Sequence, residues 1–436
     1  MRLLVVGGGG REHAIVWRLS QSPSVERIYC APGNAGIAAL AECVELGATD
    51  FDGLVAFAKQ AKIDLTVVGP EEPLCRGLVD RFEAEGLRAF GPHKSAAELE
   101  GSKIFSKRVM TQSMVPTAVA RPFSDFERAR EFLEGADWPL VIKADGLAAG
   151  KGVFVVQNFD EAATALQACF SEGRFGDAGR RVLIEEFLQG EEASVLALTD
   201  GKTIAVLPTA RDYKRAMDGD RGLNTGGMGA YSPTPAVTPA IMDLVVGQIL
   251  VPIVHAMNRE GRPYKGVLFA GLMLTKGGPK ALEFNVRFGD PEAQAVLMRL
   301  KTDLVELLLA VQSGTLDRIE LEYDERPACC VVLASENYPA TGRMGMAIHG
   351  LADVPCGDDL QVFHAGTGLR GEEVVTTGGR VLGVTALGAD LADARARAYA
   401  ACKRISFEGM RLRGDIASGN PAGARGRVTP GGRGAL

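Results

Sequence analysis

The chain has 436 residues, a formal net charge of −6 at pH 7 and a sequence pI of about 5.6. Because surfaces that bind nucleic acids are usually basic, this acidic balance argues against DNA or RNA as a partner. Hydrophobic residues make up 46% of the chain and charged residues 23%, as in an ordinary globular protein, and the length favours roughly two to four domains.

The chain begins with a short apolar run that four glycines follow. This run is too short for a secretory signal peptide. The longest other apolar stretch, residues 244–254, contains Gly247, Gln248 and Pro252 and is too short to cross a bilayer. The eight cysteines are scattered without a CxxC pair, which favours free thiols in a reducing compartment. We therefore expect a cytoplasmic protein without a membrane partner.

Short apolar strands alternate with helical patterns in residues 1–90. Strands are predicted at residues 3–6, 25–30 and 65–68, and helices at 11–20, 51–61 and 78–85. This alternation predicts a parallel sheet with helices on both faces. Turns rich in Gly and Pro follow the strands, at residues 7–10, 32–36 and 69–73. Since ligands of such sheets bind beyond the carboxyl ends of the strands, these turns are candidate binding loops.

The first of these turns partly matches a dinucleotide fingerprint. Gly7, Gly9 and Gly10 follow a strand, but Glu12 stands where the third glycine would belong. The second strand also ends without an acidic residue for a ribose, in Cys30-Ala31-Pro32. A nicotinamide-dependent oxidoreductase is therefore a weak alternative, whereas small-anion binding at the helix start is reasonable.

Helical patterning resumes after Gly91-Pro92, over about residues 96–114. Residues 123–188 then show the pattern helix, strand, loop, strand, helix and strand. A third unit begins near Pro327, with strands at 329–333 and 381–386 and a helix at 391–405. We predict domains at residues 1–101, 102–326, with a mobile lid at about 123–190, and 327–417. Residues 418–436 have too few large apolar side chains to offset ordering entropy, which predicts a disordered tail.

Residues 282–288 form a candidate half of a magnesium–ATP site. Side chains alternate across a strand, so the four apolar residues would pack on one face. Glu283, Asn285 and Arg287 would share the other face. A carboxylate and an amide oxygen suit a hard cation, and a guanidinium suits phosphate oxygens. The alternative is an amphipathic strand with a solvated polar face.

Two further segments suit a nucleotide. Lys143 ends a strand, and a loop of small residues and a second strand follow it, which predicts a lid over phosphates or, alternatively, a plain hairpin. It is not a Walker A loop, because only three residues separate Gly146 from Gly150 and neither Ser nor Thr follows Lys151. Residues 182–192 offer an apolar slot and carboxylates for adenine and ribose, although a loop-edge charge cluster is equally compatible.

The last motif is a glycine-rich loop at residues 224–233, preceded by the mixed-charge segment 211–215. The alternative interpretation is a flexible surface loop.

Nine segments, taken together, resemble the phosphoribosylamine–glycine ligase family of the ATP-grasp superfamily. In chain order they are VVGGGGREHA, APGNAG, VGPEEPL, GSK, VIKADGLAAGKGV, FGDAG, IEEFLQGEEAS, NTGGMGAYSP and LEFNVRFGDPE. The resemblance covers about residues 1–416. It implies an α/β protein, α+β overall: an ATP-grasp fold with an N-terminal Rossmann-like doubly wound domain and a small mixed α/β C-terminal domain.

The resemblance implies that ATP, glycine and 5-phosphoribosylamine give glycinamide ribonucleotide, ADP and phosphate through glycyl phosphate, in de novo purine biosynthesis. It implies Mg²⁺ or Mn²⁺ and a monomer or weak homodimer. Such chemistry consists of positioning and charge neutralisation and requires no protein nucleophile. The spacing offers no Ser–His–Asp or His–Cys arrangement, and His13 is interpreted as a core or supporting residue.

The resemblance also implies site residues. The metal ligands would be Glu283 and Asn285. The ATP-binding residues would be Lys103, Lys143, Gly150, Lys151, Gly152, Glu185, Glu186, Phe187, Leu188 and Glu191. The residues around the reacting groups would be Arg287, Asp212 and Lys214. The residues that bind glycine or phosphoribosylamine would be Gly9, Gly10, Asn34, Glu71, Asn224, Thr225, Gly226 and Gly227.

Some positions depart from the family pattern. Tyr213 stands where His is common, and we expect it to tune substrate contacts. Val286 replaces Cys and should point to the packed face, and Asn337 replaces Gly. The chain after Ile416 also departs, so we predict an altered last turn and near-normal activity after truncation there. Two other functions are alternatives. A related purine-pathway carboxylase or formyl-transferring ligase would keep the fold, but the REHA and NTGGMGAYSP segments argue against it. A non-catalytic ATP-binding module would require a broken metal pair or lost lysines, and the sequence shows neither.

Overall fold

The computed structural model describes residues 1–147, 152–171, 176–340 and 342–419. Gly150 and Lys151 of the predicted lid, and residues 420–436 of the predicted tail, lie outside the described residues. Within them the chain forms an N-terminal parallel sheet, a small lid sheet, a central antiparallel sheet and a C-terminal antiparallel sheet.

The N-terminal domain is a parallel sheet flanked by helices. Its strands are β1 Arg2–Gly7, β2 Arg27–Pro32, β3 Glu42–Cys43, β4 Leu65–Val68 and β5 Ala89–Phe90. Its helices are α1 Gly10–Leu19, α2 Phe51–Gln60, α3 Glu71–Arg76, α4 Leu78–Ala84 and α5 Lys94–Gly101. The strand order β3-β2-β1-β4-β5 confirms the predicted doubly wound sheet. Every residue of β4 is buried, as expected for a strand covered on both faces.

The helix predicted over residues 96–114 is in fact two helices, α5 and α6 (Lys103–Gln112), which meet at Ser102. Ser102 has extended backbone, and its hydroxyl accepts a hydrogen bond from the Phe105 N–H at 3.1 Å. A side-chain cap of this kind starts a new helix. The apolar periodicity continues across Ser102, and it therefore concealed the break.

The lid packs around a core of its own. Its strands are β6 Ala120–Phe123, β7 Leu140–Ala144, β8 Val153–Val156 and β9 Val182–Glu186, and its helices are α7 Phe126–Glu134 and α8 Phe159–Phe170. The strands form an antiparallel sheet in the order β6-β9-β7-β8. Strand β6 was not predicted, because it is short and contains Pro122. Proline is tolerated there since β6 is an edge strand.

The central part of the chain forms the next sheet and a hairpin. Its strands are β10 Glu191–Thr199, β11 Ile204–Val206, β12 Arg211–Asp212, β13 Arg215–Met217, β14 Arg221–Asn224, β15 Gly229–Ser232, β16 Gly266–Thr275 and β17 Gly278–Asn285. Four of them form the central antiparallel sheet in the order β11-β10-β16-β17, and β13 and β14 form a separate two-stranded hairpin.

Strand β17 carries a register shift that sequence alternation could not show. Gly271 pairs with Glu283 and Leu272 pairs with Ala281, so Leu282 is the extra residue. Ala281 and Phe284 are both buried in the core, whereas Leu282 is only partly buried. The prediction that Leu282 packs on the same face as Phe284 was therefore wrong, because a bulge changes which residues face the core.

The chain between β15 and β16 forms one long helix. It comprises α9 Pro239–Val245, a π-helical turn Val246–Leu250 and α10 Val251–Arg259. Its 21 residues have a hydropathy of 1.8 and are long and apolar enough to cross a membrane, unlike the shorter stretch considered in the sequence. One face, including Ile249, Ile253 and Met257, is fully buried in the core. We interpret it as a core helix.

The C-terminal sheet recruits strands from the preceding segment. The remaining helices and strands are α11 Glu292–Arg299, α12 Leu304–Ser313, β18 Ala328–Ala334, β19 Leu360–His364, β20 Thr367–Arg370, β21 Glu373–Thr376, β22 Arg380–Leu387 and α13 Leu391–Cys402. The sheet has the order β12-β15-β18-β22-β19, and β20 and β21 form a hairpin. Strands β12 and β15 precede residue 327, so this sheet is built from both sides of the expected domain boundary.

The C-terminal segment ties this sheet to the β13–β14 hairpin. The guanidinium of Arg413 is buried and donates to the Arg215 carbonyl at 3.0 Å and to Asp220 at 2.9 Å. The Ala417 N–H donates to the Tyr213 hydroxyl at 3.0 Å. Tyr213 is buried in the C-terminal core, and the Arg413 guanidinium lies over its ring; a role of Tyr213 in substrate contacts stays a prediction.

Removing the chain after Ile416 should lower the free energy of unfolding by on the order of 1–3 kcal/mol. That truncation removes the Ala417 N–H and puts a terminal carboxylate on Ile416, which is completely buried. Removing the chain after Gly419 should leave stability unchanged. Thermal unfolding of both truncations, beside the full chain, measures the difference; equal unfolding temperatures would contradict a structural role for Ala417.

Candidate active site

The central sheet and the lid meet where Lys143 leaves β7. Its ammonium group donates to the Leu282 carbonyl of β17 at 3.2 Å. It also forms a 2.8 Å ion pair with Glu185 of β9, which a second lysine, Lys107 of α6, contacts at 2.9 Å. All three charged side chains are less than one tenth exposed. Glu185 is thus neutralised by the protein and holds Lys143 toward β17.

Glu283 lies beside this lysine pair and among further cations. Burial alone would raise the pKa of its carboxyl, but the charges of Lys214, Lys143 and Lys103, followed by Arg287, outweigh burial and lower the pKa. Among the described residues none donates a hydrogen bond to this carboxylate or forms an ion pair with it. Glu283 is therefore ionised, with both oxygens available to a ligand.

Asn285 lies on the same side of β17, and its orientation is fixed. Its amide nitrogen donates to one Glu100 oxygen at 3.0 Å, and the Val286 N–H donates to the other at 2.7 Å. Because the Asn285 amide nitrogen donates to the Glu100 carboxylate, the Asn285 side-chain oxygen can accept from another donor or bind a cation. Val286 is buried, as predicted.

Arg287 is held by carboxylates of the N-terminal domain. It contacts Glu71 at 3.3 Å and Glu100 at 3.2 Å. Burial would raise the pKa of Glu71, but Arg287 and Arg11 outweigh it and lower that pKa to about 2. Contact of Arg287 with a transferred phosphate remains a prediction, as does a substrate contact by Glu71.

Lys103 opens α6 beside the loop that follows β7. Its ammonium group donates to the Gly146 carbonyl at 2.8 Å, and burial lowers its pKa. Asp145 accepts from the Ser102 hydroxyl at 2.9 Å and the Ile104 N–H at 3.0 Å, which fixes the loop against α6. Gly152 is described and buried.

The segment after β9 offers backbone donors beside apolar side chains. Glu186 accepts from the Val119 N–H at 3.0 Å and from Lys280 at 3.1 Å. The N–H groups of Phe187 and Leu188 have no partner among the described residues. Leu188 is buried and Phe187 is partly exposed. This combination suits the edge and face of an adenine.

The expected ribose acceptor, Glu191, is paired with Arg211 at 2.5 Å and remains partly exposed. Arg211 lies at the end of β12 next to Asp212, so the nucleotide segment and the residues around the reacting groups adjoin.

An acidic cluster surrounds Lys214. Its ammonium group lies 3.1 Å from Glu192. Burial raises the pKa of Asp212 to about 7; Lys214 opposes this shift, whereas Glu292, Glu192 and Glu283 reinforce it. Because carboxylates outnumber cations here, the cluster favours a ligand with a positively charged group.

The loop at residues 224–227 is firmly attached and is not a flexible surface loop. The Thr225 hydroxyl donates to the Lys214 carbonyl at 2.8 Å, and the Gly226 N–H donates to the Tyr338 hydroxyl at 2.8 Å. Gly227 has φ +115°, and a Cβ there would lie 2.4 Å from Pro291. Asn224 precedes this loop at the end of β14.

The glycine turns of the N-terminal domain face the C-terminal domain across a cleft of about 340 Å³. The cleft is lined by Gly8, Gly9, Gly33, Asn34, Asp290, Ala365, Gly366, Thr367, Thr377 and Arg380. The side-chain amide of Asn34 is fully used: it donates to the carbonyls of Gly8 and His364 and accepts two backbone N–H groups. Asn34 therefore shapes the cleft with its side chain, and its carbonyl accepts from the Ala38 N–H at 3.1 Å; its contact with a substrate remains a prediction.

Glu12 explains why the glycine turn is not a dinucleotide fingerprint. Its carboxylate accepts from the Gly9 N–H at 2.7 Å and packs against Gly7 and Gly69, where a Cβ would collide with it. Arg11 neutralises this carboxylate at 2.6 Å, so Glu12 occupies the turn and takes the Gly9 N–H without leaving an uncompensated negative charge at the start of α1. The start of α1 at Gly10 nevertheless borders the cleft through Gly9.

Sequence reasoning missed several residues of this site. They are Glu100, Lys107, Glu292, Asp290, Arg380, Thr367 and Thr377. Glu100 and Lys107 flank the GSK motif, which was a usable signal. Arg380, which donates to Gly226 and Asp290, lies far away in sequence and had none.

Comparison with known proteins assigns every part of this site to one family. Three family models match: "Phosphoribosylglycinamide synthetase, N domain" at residues 1–100, its "ATP-grasp (A) domain" at 101–293 and its "C domain" at 328–419. The chain belongs to the phosphoribosylglycinamide synthetase family.

Relatives and solved structures agree over nearly the whole length. The phosphoribosylamine–glycine ligase of Caldanaerobacter subterraneus subsp. tengcongensis is 50% identical over 419 residues, covering 96% of this chain and all of the relative. That of Yersinia pestis is 50% identical over 98% of this chain and 100% of its own. The crystal structure of the Thermotoga maritima ligase superposes with a TM-score of 0.84 at 33% identity, over 95% of this chain and 100% of that chain.

Membership in the synthetase family confirms the ATP-grasp fold and makes the chain an ATP-grasp ligase, a family that uses ATP with a divalent metal ion. The biotin carboxylase domain of the Hydrogenobacter thermophilus 2-oxoglutarate carboxylase also superposes, with a TM-score of 0.74 over 94% of this chain and 91% of that chain. At 17% identity this likeness concerns the fold alone.

Replacing Asp212 by Asn should remove a pH-dependent loss of stability. The raised pKa, about 7 against 3.8, means that the folded chain holds this proton more tightly than the unfolded chain. Stability therefore falls as pH rises from about 4 to about 7, and the free energy of unfolding of Asp212→Asn should rise relative to that of the wild type by up to about 4 kcal/mol across that range. Urea unfolding at several pH values measures this gain, with Asp243→Asn on the exposed face of α9 as the control. If the difference in unfolding free energy between variant and wild type did not change with pH, Asp212 would titrate normally.

Proposed function

We propose that this chain ligates glycine to 5-phosphoribosylamine and forms glycinamide ribonucleotide, ADP and phosphate, an early step of purine synthesis. The observation that carries the proposal is the match of all three synthetase domains over residues 1–419. The site geometry supports it, because phosphate-side cations, an acidic cluster and a glycine-lined cleft adjoin.

ATP is proposed to bind between the lid and the central sheet. Its adenine would accept hydrogen bonds from the free N–H groups of Phe187 and Leu188, beside Glu186, and Glu191 would receive the ribose. Lys103 and Lys143 would hold its phosphates, with the loop that includes Gly150, Lys151 and Gly152 above them. Glu185 would act through Lys143.

Glu283 and Asn285 are proposed to hold Mg²⁺ or Mn²⁺ together with ATP phosphates. The residues fit this ion: Glu283 is an ionised carboxylate without a described partner, and Asn285 presents its oxygen. Magnesium commonly takes one or two protein oxygen ligands and completes its shell with phosphates and water. When bound, the ion neutralises the negative charge on the phosphates.

Glycine is proposed to lie between the metal residues and the acidic cluster. Asp212, Glu192 and Glu292 would attract its ammonium group, which directs its carboxylate toward the phosphates. The carboxylate oxygen attacks the γ-phosphorus of ATP, the bond to ADP breaks, and glycyl phosphate results. Lys214 and Arg287 would neutralise charge around the transferred group, and the loop Asn224, Thr225, Gly226 and Gly227 would enclose it.

Phosphoribosylamine is proposed to occupy the cleft between the glycine turns and the C-terminal domain. Gly9 and Gly10 bring the positive end of α1 to the cleft, and Thr367 and Thr377 add hydroxyl donors, a combination suited to a phosphate group. Asn34 shapes this wall, and Glu71, which pairs with Arg11 and Arg287, would contact the substrate from the N-terminal domain. The amine attacks the carbonyl carbon of glycyl phosphate, phosphate leaves, and the amine loses a proton as the amide forms.

The protein is proposed to act in the cytoplasm as a monomer or weak homodimer on these small-molecule substrates, without a nucleic-acid or membrane partner. The acidic balance of the chain, with a net charge of −6, supports the absence of a nucleic-acid partner.

An omission assay tests the reaction. ADP release should require glycine and phosphoribosylamine together, because glycyl phosphate is consumed only when the amine is present. The amine can be generated in place from ribose 5-phosphate and ammonia. Equal ADP release after omission of either substrate would refute the ligase proposal and favour a different acceptor or a simple ATPase.

Glu100→Ala should weaken Mn²⁺ binding in the presence of ADP by about 10–100-fold, because it frees the Asn285 amide to rotate. Electron paramagnetic resonance of free Mn²⁺ measures this affinity directly, and ADP binding without metal should stay unchanged. Glu98→Ala is the matched control, since Glu98 lies on the same helix but pairs with Arg262. Unaltered Mn²⁺ affinity in Glu100→Ala would remove the orienting role of Glu100.

A further inference from the structure

Two histidines lie behind one wall of the cleft and take no part in the proposed chemistry. His13 belongs to α1, and His364 ends β19 in the C-terminal sheet. The His364 N–H donates to the ring Nδ1 of His13 at 2.8 Å. The His364 carbonyl accepts from the Asn34 amide at 2.8 Å. Both main-chain polar groups of His364 are thus held by side chains of the N-terminal domain.

The contact continues from His364 into the cleft. The ring Nδ1 of His364 lies 3.1 Å from the Thr367 hydroxyl, and Thr367 lines the cleft with Ala365 and Gly366. His13 thus holds the backbone of His364, whose ring contacts the hydroxyl of Thr367, a residue that lines the cleft where phosphoribosylamine is proposed to bind.

The two rings are closely packed and neutral. A Cβ on Gly36 would lie 2.4 Å from His364 and 2.5 Å from His13, so the turn carrying Asn34 fits only without a side chain there. Burial, followed by the charge of His364, lowers the pKa of His13 to about 3, and burial lowers that of His364 to about 4. At neutral pH the Nδ1 of His13 therefore carries no proton and accepts the His364 N–H.

We propose that His13 and His364 are positioning residues for phosphoribosylamine. They hold the wall at residues 365–367, and with it the Thr367 hydroxyl, at a fixed separation from the glycine turns. The inference rests on the proposed function, since it names the ligand of that cleft. It also gives the histidine of the REHA motif a role that requires no proton transfer.

Two substitutions at His13 separate positioning from packing. His13→Phe keeps a ring but removes the acceptor, and His13→Asn places an amide oxygen near the position of Nδ1. In His13→Phe the dissociation constant of glycinamide ribonucleotide, measured by calorimetry, should rise about tenfold, which corresponds to about 1.4 kcal/mol. The KM for phosphoribosylamine should rise with it, whereas the KM values for ATP and glycine stay constant. His13→Asn should restore most of the affinity.

Two further variants make the result decisive. Trp17→Phe is the matched control, because Trp17 also lies on α1 and meets Phe363 edge-on but does not touch His364; it should leave the affinity unchanged. Thr367→Ala tests the cleft itself and should weaken the binding of glycinamide ribonucleotide.

If Thr367→Ala weakens this binding and His13→Phe does not, the positioning role is wrong and the cleft assignment survives. If Thr367→Ala has no effect, the cleft assignment fails and the inference fails with it. If His13→Phe raised the KM values for all three substrates equally, His13 would have a general structural role and the inference would be overturned.

Discussion

The ion pairs of Arg287 with Glu71 and Glu100 join the N-terminal domain to the strand that carries Glu283 and Asn285. Glu71 opens α3 and Glu100 lies in the last turn of α5, so both carboxylates belong to the doubly wound sheet's helices. Breaking one partner of a pair this deeply placed would leave an uncompensated charge, which is strongly destabilising. The domain interface and the position of the metal residues therefore depend on the same contacts.

The carboxylates of the site fall into two groups by what neutralises them. Glu185 is paired with both Lys107 and Lys143. Glu283 lies near the same cations, but none of the described residues forms an ion pair with it. One carboxylate thus fixes the lysines and the other stays open, an arrangement that suits the proposed binding of a metal ion beside phosphates.

Much of the fold and some of the site could be predicted from local sequence, and the failures have a common cause. Alternation in residues 1–90 predicted the parallel sheet, because buried strands and amphipathic helices have different periods. It failed at Leu282, where a bulge determined by the pairing partner changes the facing residue. Motif residues such as Lys143 and Glu283 were found because each lies in a distinctive local pattern. Glu100 and Arg380 were missed because their roles depend on contacts with residues 185 and 154 positions away. Asn34 lies in a turn that the sequence identified, but the bonds of its side chain to backbone groups depend on the fold and could not be predicted; its contact with the substrate stays a prediction.

The C-terminal sheet has a consequence for how the molecule can be made. Strand β12 pairs with β15, and β15 pairs in turn with β18; the long helix, β16, β17, α11 and α12 separate β15 from β18 along the chain. A ribosome releases the chain from its N-terminus, and domains generally fold as units during synthesis. The N-terminal sheet can close early, but the pair of β12, which carries Asp212, and β15 lacks its neighbour β18 until that strand and β22 have emerged. The segment around Asp212 is consequently among the last parts of the protein to reach its final structure.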